Sequence, residues 1–202
     1  MKLRAVIWDM GGVLLRTTDG APRERLAARL GIDRWELERR VFSGPSGQQA
    51  QLGRISLAAH WENVRQDFGL QPVEMAEFQR QFWDGDVLDM ELVAYVRSLR
   101  VRYLTALLSN YFPGLRGELE NHWHIADAFD ELVISSEIGV VKPDPRIYQL
   151  ALERLSVLPG EAVFIDDFAV NIKGAQVAGL RTIHFLNPDQ VRQELDALMF
   201  AR

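Results

Sequence analysis

Four segments of this 202-residue chain place polar groups where chemistry could occur. The apolar run Ala5-Val6-Ile7-Trp8 climbs to Asp9 and stops at Gly11-Gly12. A second run, Val101 to Leu108, ends in Ser109-Asn110, and a third, Ala162 to Ile165, ends in Asp166-Asp167. Between them Gly139-Val140-Val141-Lys142-Pro143 carries a lysine in an extended stretch before a helix. Three carboxylates drawn together repel and raise one another's pKa values unless a cation sits among them. Hard oxygen ligands beside a phosphate suit Mg²⁺. Lys142 and the metal would balance a phosphoryl group, Ser109 and Asn110 would donate to its oxygens, and Asp9 would attack phosphorus to form an aspartyl phosphate. Taken singly, each fragment has a plainer alternative. Asp9 or Asp166-Asp167 can cap the following segment, Ser-Asn is ordinary turn chemistry, and a lone lysine is usually solvated.

What makes the fragments one constellation is the elements that carry them. Short β-branched runs bounded by glycine read as buried parallel strands, and parallel sheets gather their ligands at the strands' C-terminal ends. From Asp89 onward strands alternate with helices: a helical stripe at Leu92, Val93, Val96 and Leu99, then the strand from Val101. A helix over Pro113 to Asn121 and a strand over Glu131 to Ser135 follow. Next come a helix over Pro145 to Leu155, the strand from Ala162, a helix over Ala169 to Ala178, and a last strand over Thr182 to Leu186. This is an α/β, Rossmann-like, mostly parallel sheet covered on both faces. Pro22 to Trp83 reads differently, as helices only. Pro22 opens the first at a first-turn position, and Asp33 and Ser56 cap two others. Ser43 to Gly47 breaks the pattern, and Gly44 to Gly53 reads equally as a specificity loop or a plain connection. Pro72 opens a final helix. Polar, turn-rich Arg16 to Pro22 and Asp84 to Asp86 suit linkers. The expected division is a core of residues 1–16 and 87–202 and a small helical cap over 17–86 inserted after the first strand.

Apolar residues are 48% and charged residues 25%, ordinary for a soluble globular chain. A net charge of −5 argues against a nucleic-acid surface. Zero cysteines exclude disulfides and thiolate metal sites and fit a cytoplasmic protein. Lys2 and Arg4 before an apolar run resemble a signal peptide, but Asp9 interrupts the run, and no stretch approaches the roughly 18 to 20 apolar residues of a membrane span. The four histidines have no recognisable ligand spacing, His122-x-His124 included. Trp35, Trp61 and Trp83 read as cap core, with one ring able to face a substrate.

The four segments, in this order, resemble the haloacid dehalogenase-like hydrolase superfamily, most closely the branch of small sugar-phosphate phosphatases and the phosphatase domain of soluble epoxide hydrolases. Asp9 stands at the nucleophile of the strand–Asp-x-Asp-Gly motif, Ser109 at the hydroxyl of the second and Lys142 of Gly-Val-Val-Lys-Pro-Asp at the third. Phe164-Ile165-Asp166-Asp167 matches the fourth. The resemblance implies Mg²⁺ held by Asp9, Asp167 and the Gly11 carbonyl, with Asp166 in the same metal site orienting it. It also implies phosphate contacts from Ser109, Asn110, Lys142 and Asn171. The implied activity is hydrolysis of a small phosphorylated metabolite, sugar phosphates among the candidates, by a monomer or homodimer. One departure is marked: the family's phosphatases usually carry an acid/base aspartate two residues after the nucleophile, where this chain has Gly11. Dehalogenation through an ester on Asp9, or a binding protein with little turnover, are the alternatives this leaves open; the double aspartate favours phosphoryl chemistry.

Overall fold

The computed structural model describes residues 1–200, so the last two positions of the 87–202 segment lie outside the described residues. Strands β1 (Ala5–Trp8), β4 (Leu104–Ser109), β5 (Glu131–Ile134), β6 (Ala162–Asp166) and β7 (Arg181–His184) form one parallel sheet in the order β5-β4-β1-β6-β7. β1 lies at the centre, with Ala5 opposite Leu104 on one side and Ala162 on the other. Side chains alternate across its pleat. Val6 and Trp8 face a core closed by α6 (Met90–Leu99) and α11 (Pro188–Phe200), while Ala5 and Ile7 face α9 (Pro145–Leu155) and α10 (Ala169–Val177). Both faces are thus covered, which is why these strands read as continuous apolar runs.

The remaining helices are α1 (Ala21–Arg29), α2 (Arg34–Glu38, continued by a π turn over Arg39–Ser43), α3 (Pro45–Gln51), α4 (Leu57–Asp67) and α5 (Met75–Trp83). They precede two short pieces of the core, α7 (Leu115–Gly117) and α8 (Ser135–Ile138). Helices α1, α2, α4 and α5 close a core of their own around Leu26, Leu37, Val41, Trp61, Val64, Phe78 and Phe82. Their starts are chemically set: Asp33 accepts from the Glu36 N–H at 2.8 Å and Ser56 from the Ala59 N–H at 3.1 Å.

Several boundaries differ from the sequence reading. The stretches expected as linkers contain a two-stranded antiparallel ribbon, β2 (Leu15–Thr17) with β3 (Asp86–Leu88), Thr17 opposite Asp86. The buried guanidinium of Arg23 clamps it, donating to Thr17 Oγ1 at 3.1 Å, Asp86 Oδ2 at 2.5 Å and Glu38 Oε1 at 3.0 Å. Most of Gly44 to Gly53 is neither loop nor connection but helix α3; Gly47 lies against the Val41 and Phe42 carbonyls, where a Cβ would collide. Trp35 is 80% exposed, because Leu37, two residues along α2, takes the inward face. β4 starts at Leu104 rather than Val101, since the ladder with β1 begins there and exposed Val101 has no strand beside it. The last strand likewise ends at His184, short of Leu186. Helix α11 was not anticipated; Asn187 Oδ1 caps it, accepting from Gln190 at 2.9 Å, and Val191 and Leu195 bury its inner face. Among the described residues no helix is long and apolar enough to cross a membrane.

Candidate active site

Because β4, β1 and β6 are adjacent and parallel, Ser109, Asp9 and Asp166 emerge side by side at one edge of the sheet. Lys142 reaches the same place from the loop after α8. Its ammonium lies 2.7 Å from Asp9 Oδ1 and 2.7 Å from Asp166 Oδ2, with almost no exposure. Asn110 explains how the loop is held. Its amide donates to the Lys142 carbonyl at 3.0 Å and its oxygen accepts from the Lys142 N–H at 2.8 Å. The Asn110 side chain, expected to meet a phosphate, is therefore engaged as the bracket that sets the lysine.

Asp166 is fully buried and fully bonded. Oδ1 accepts from the Phe168 N–H at 2.7 Å and Asn171 Nδ2 at 3.1 Å; Oδ2 accepts from Lys142 Nζ at 2.7 Å and Asn171 Nδ2 at 3.0 Å. Three donors share the two oxygens, with Asn171 Nδ2 bridging both. Asp166 thus holds Lys142, and its carboxylate also belongs to the cluster with Asp9 and Asp167 that the expected ligand set names. Asn171 is likewise turned to Asp166, while its carbonyl accepts from the buried Tyr148 hydroxyl at 2.8 Å.

Asp9 and Asp167 are different. Asp9 Oδ1 also accepts from the Met10 N–H at 2.7 Å, leaving Oδ2 outside these bonds. Asp167 Oδ1 is buried with no hydrogen-bond partner. Its carboxylate lies against Gly12, whose φ of +76° suits glycine and where any Cβ would collide with the carboxylate. Asp9, Asp166 and Asp167 each bring an oxygen within 4.8 Å of the others. Burial, reinforced by Asp166, holds the Asp9 carboxyl well above its usual range against the pull of Lys142. Burial and the Asp166 charge push Asp167 up to about 6. Burial would lower the Lys142 ammonium, but Asp9 and Asp166 outweigh it and hold it above its ordinary value. One ammonium faces three carboxylates, and an orphaned oxygen stands beside them. This donor set fits a divalent cation bound by oxygen.

Gly11 is exposed, with φ outside the left-handed region and nothing within 4 Å of where a Cβ would stand. Ser109 is buried at the edge, 1% exposed, apart from this network. The sequence reading passed over Gly12 as Asp167's seat, Tyr148, and His184, whose Nε2 meets the Asp167 carbonyl at 2.8 Å. His184 sits opposite Asp166 in the β6–β7 register, so only strand order reveals it. The other histidines stay away: His124 pairs with the Glu120 carbonyl at 3.0 Å, and buried His60 meets Ser46 Oγ at 3.0 Å.

Known proteins resemble this chain over most of its length. The model of the haloacid dehalogenase-like hydrolase family matches residues 3–179. Bifunctional epoxide hydrolase 2 of Sus scrofa is 27% identical over 97% of this chain, which spans only 39% of that protein; several curated relatives match in this partial way. D-ribitol-5-phosphate phosphatase of Bacteroides thetaiotaomicron is 26% identical over 98% of both chains. A crystal structure of a HAD family enzyme from the same organism, in complex with magnesium and inorganic phosphate, superposes with a TM-score of 0.74 at 24% identity, covering 90% of this chain and 93% of that one.

Proposed function

We propose that this chain, which belongs to the haloacid dehalogenase-like hydrolase family, is a Mg²⁺-dependent phosphatase of a small phosphorylated metabolite working through an aspartyl phosphate on Asp9. The observation that carries the reading is the unbalanced charge of the centre, one buried ammonium among three carboxylates with Asp167 Oδ1 unpartnered. Asp9, Asp167 and the Gly11 carbonyl would hold Mg²⁺, whose charge when bound offsets that of the phosphoryl group. Asp9 attacks phosphorus; Lys142, locked by Asp166 and Asn110, pulls the attacking carboxylate toward its ionised form against burial and faces the incoming anion. Ser109 donates to a phosphoryl oxygen. Asp166 and Asn171 position Lys142 and stay off the ion. Residues 17–86 form the cap, joined through the β2–β3 ribbon. The ribitol-phosphate phosphatase similarity supports a phosphate monoester as substrate. A cytoplasmic monomer or homodimer completes the reading. The experiment is phosphate release from a panel of phosphorylated metabolites with Mg²⁺ and with chelator. Turnover that appears only with Mg²⁺ is expected; release of halide from 2-haloacids without metal, and no phosphate, would overturn it.

A further inference from the structure

A cavity of about 380 Å³ lies at the seam between the helical segment and the sheet. That is the size of a small-molecule site. Trp61 and Trp83 wall it from α4 and α5, and Tyr111, Phe112 and Trp123 wall it from the segment after β4. None of Asp9, Ser109, Lys142 and Asp167 lines it, yet two of its walls hang from the reactive loops. Leu15 is bridged to Gly11 and donates its N–H to the Met10 carbonyl at 2.8 Å. Tyr111 follows Asn110, the bracket of Lys142.

Its chemistry is selective. No lysine or arginine lines it, and its charged or titratable groups are Asp86, Glu118, His122 and the Tyr111 phenol. Asp86 is already taken, by Thr17 on one oxygen and Arg23 on the other. Such walls repel a phosphate and give a polyol few partners, whereas aromatic rings stack well on them. A second observation points the same way. Around Asp9 the titratable groups are Lys142, held between Asp9 and Asp166, then Asp166 itself, bonded to Lys142 and Asn171, and Asp167, assigned to the ion; Gly11 has no side chain at all. With Lys142 held by two carboxylates and no carboxylic acid at Gly11, the leaving oxygen must depart with little help, which favours a weakly basic one. A phenol of the tyrosine type has a pKa of about 10, against about 15.7 for water.

Resting on the phosphatase reading, we propose that the cavity holds the ring of an aryl phosphate monoester. An Asp9 oxygen bonds to phosphorus as the aryl O–P bond breaks. The electron pair leaves on the phenolate, which takes a proton from water. Water then attacks the phosphorus of the aspartyl phosphate, returning the Asp9 carboxylate and inorganic phosphate.

The test compares kcat/KM of the Mg²⁺-loaded protein on 1-naphthyl phosphate, cyclohexylmethyl phosphate, glucose 1-phosphate and acetyl phosphate, in wild type, Leu57→Trp and Trp123→Ala. Leu57 lines the cavity and is 38% exposed, so filling there spares the core. Acetyl phosphate has a good leaving group without a ring. The naphthyl ester should exceed the cyclohexylmethyl ester at least 100-fold. Leu57→Trp should lower the naphthyl value at least tenfold more than the acetyl phosphate value. Calorimetry with 1-naphthol, without Mg²⁺, should show binding that Leu57→Trp weakens. Equal losses on naphthyl and acetyl phosphate, preference for glucose 1-phosphate, or no naphthol binding overturns the proposal alone. Turnover of none of the four overturns the phosphatase reading with it.

Discussion

Around Asp9, position is set by charge: Lys142, Asp166 and Asn171, nearly out of water, and half-buried Asn110 are fixed to one another by hydrogen bonds of 2.7 to 3.1 Å. Across the seam, Trp61, Phe82, Trp83 and Tyr111 meet edge-on or stacked, their centroids 5.1 to 6.4 Å apart, with no such bond among their rings. The first arrangement tolerates little change, because removing one partner strands another buried charge. The second is graded, because a ring can be trimmed or crowded at a cost that follows area and shape. Groups that act on every substrate belong in the first kind of place, and groups that choose among substrates in the second.

The contrast breaks most sharply at Asp9. Asp9→Asn keeps the shape but removes the nucleophile, and turnover should fall by on the order of 10⁵-fold or more. Steady-state rates beside an unchanged circular dichroism spectrum check it; a wild-type rate would dissolve the distinction. Gly11 probes the gap between the two regions. Gly11→Asp has room for its side chain and should speed esters of basic alcohols by roughly 10²- to 10⁴-fold while leaving aryl esters nearly alone. A rate series over leaving groups reads this out, and an unchanged slope would place the proton donor elsewhere. Within the centre, Asp167→Ala should abolish measurable Mg²⁺ binding in calorimetry, whereas Asp166→Asn should weaken it by only about 10- to 100-fold, as for a residue acting through its neighbours. The reverse order would exchange their roles.

The smallest effect is one of pH. With its folded pKa raised to about 6, Asp167 is protonated in the metal-free protein below that value, and a protonated carboxyl is a poor ligand. Mg²⁺ affinity should therefore drop by about tenfold per unit below about pH 6. The metal-free fold behaves oppositely. Its raised carboxyl binds a proton more readily than the unfolded chain, so this group's contribution to stability grows as pH falls from above 6 toward 4 and fades as pH rises through 6. Melting temperatures with and without Mg²⁺ across that range should slope in opposite directions.

Much of this was legible in the chain itself. Apolar runs that end in Asp9, Ser109 and Asp166 require buried parallel strands, and such strands must bring their polar ends to one edge. Capping residues marked α2 and α4, since a cap depends on neighbours within a turn. What the sequence alone could not decide depends on residues far apart. The ribbon of β2 and β3 exists because Arg23 satisfies Thr17, Asp86 and Glu38 together. Asp166 and Asp167 are adjacent and chemically identical, and only the end of β6 at Asp166 and the bend that follows turn one to Lys142 and the other to Gly12. Asn110 became a bracket because the loop bearing Lys142 passes beside it. The aromatic cavity, drawn from α4, α5 and the segment after β4, has no local signature, because an aromatic residue at helical spacing looks the same whether its ring fills a core or lines a space. Residue types thus determined which chemistry the chain can support, and tertiary packing decided which atoms remain free to perform it.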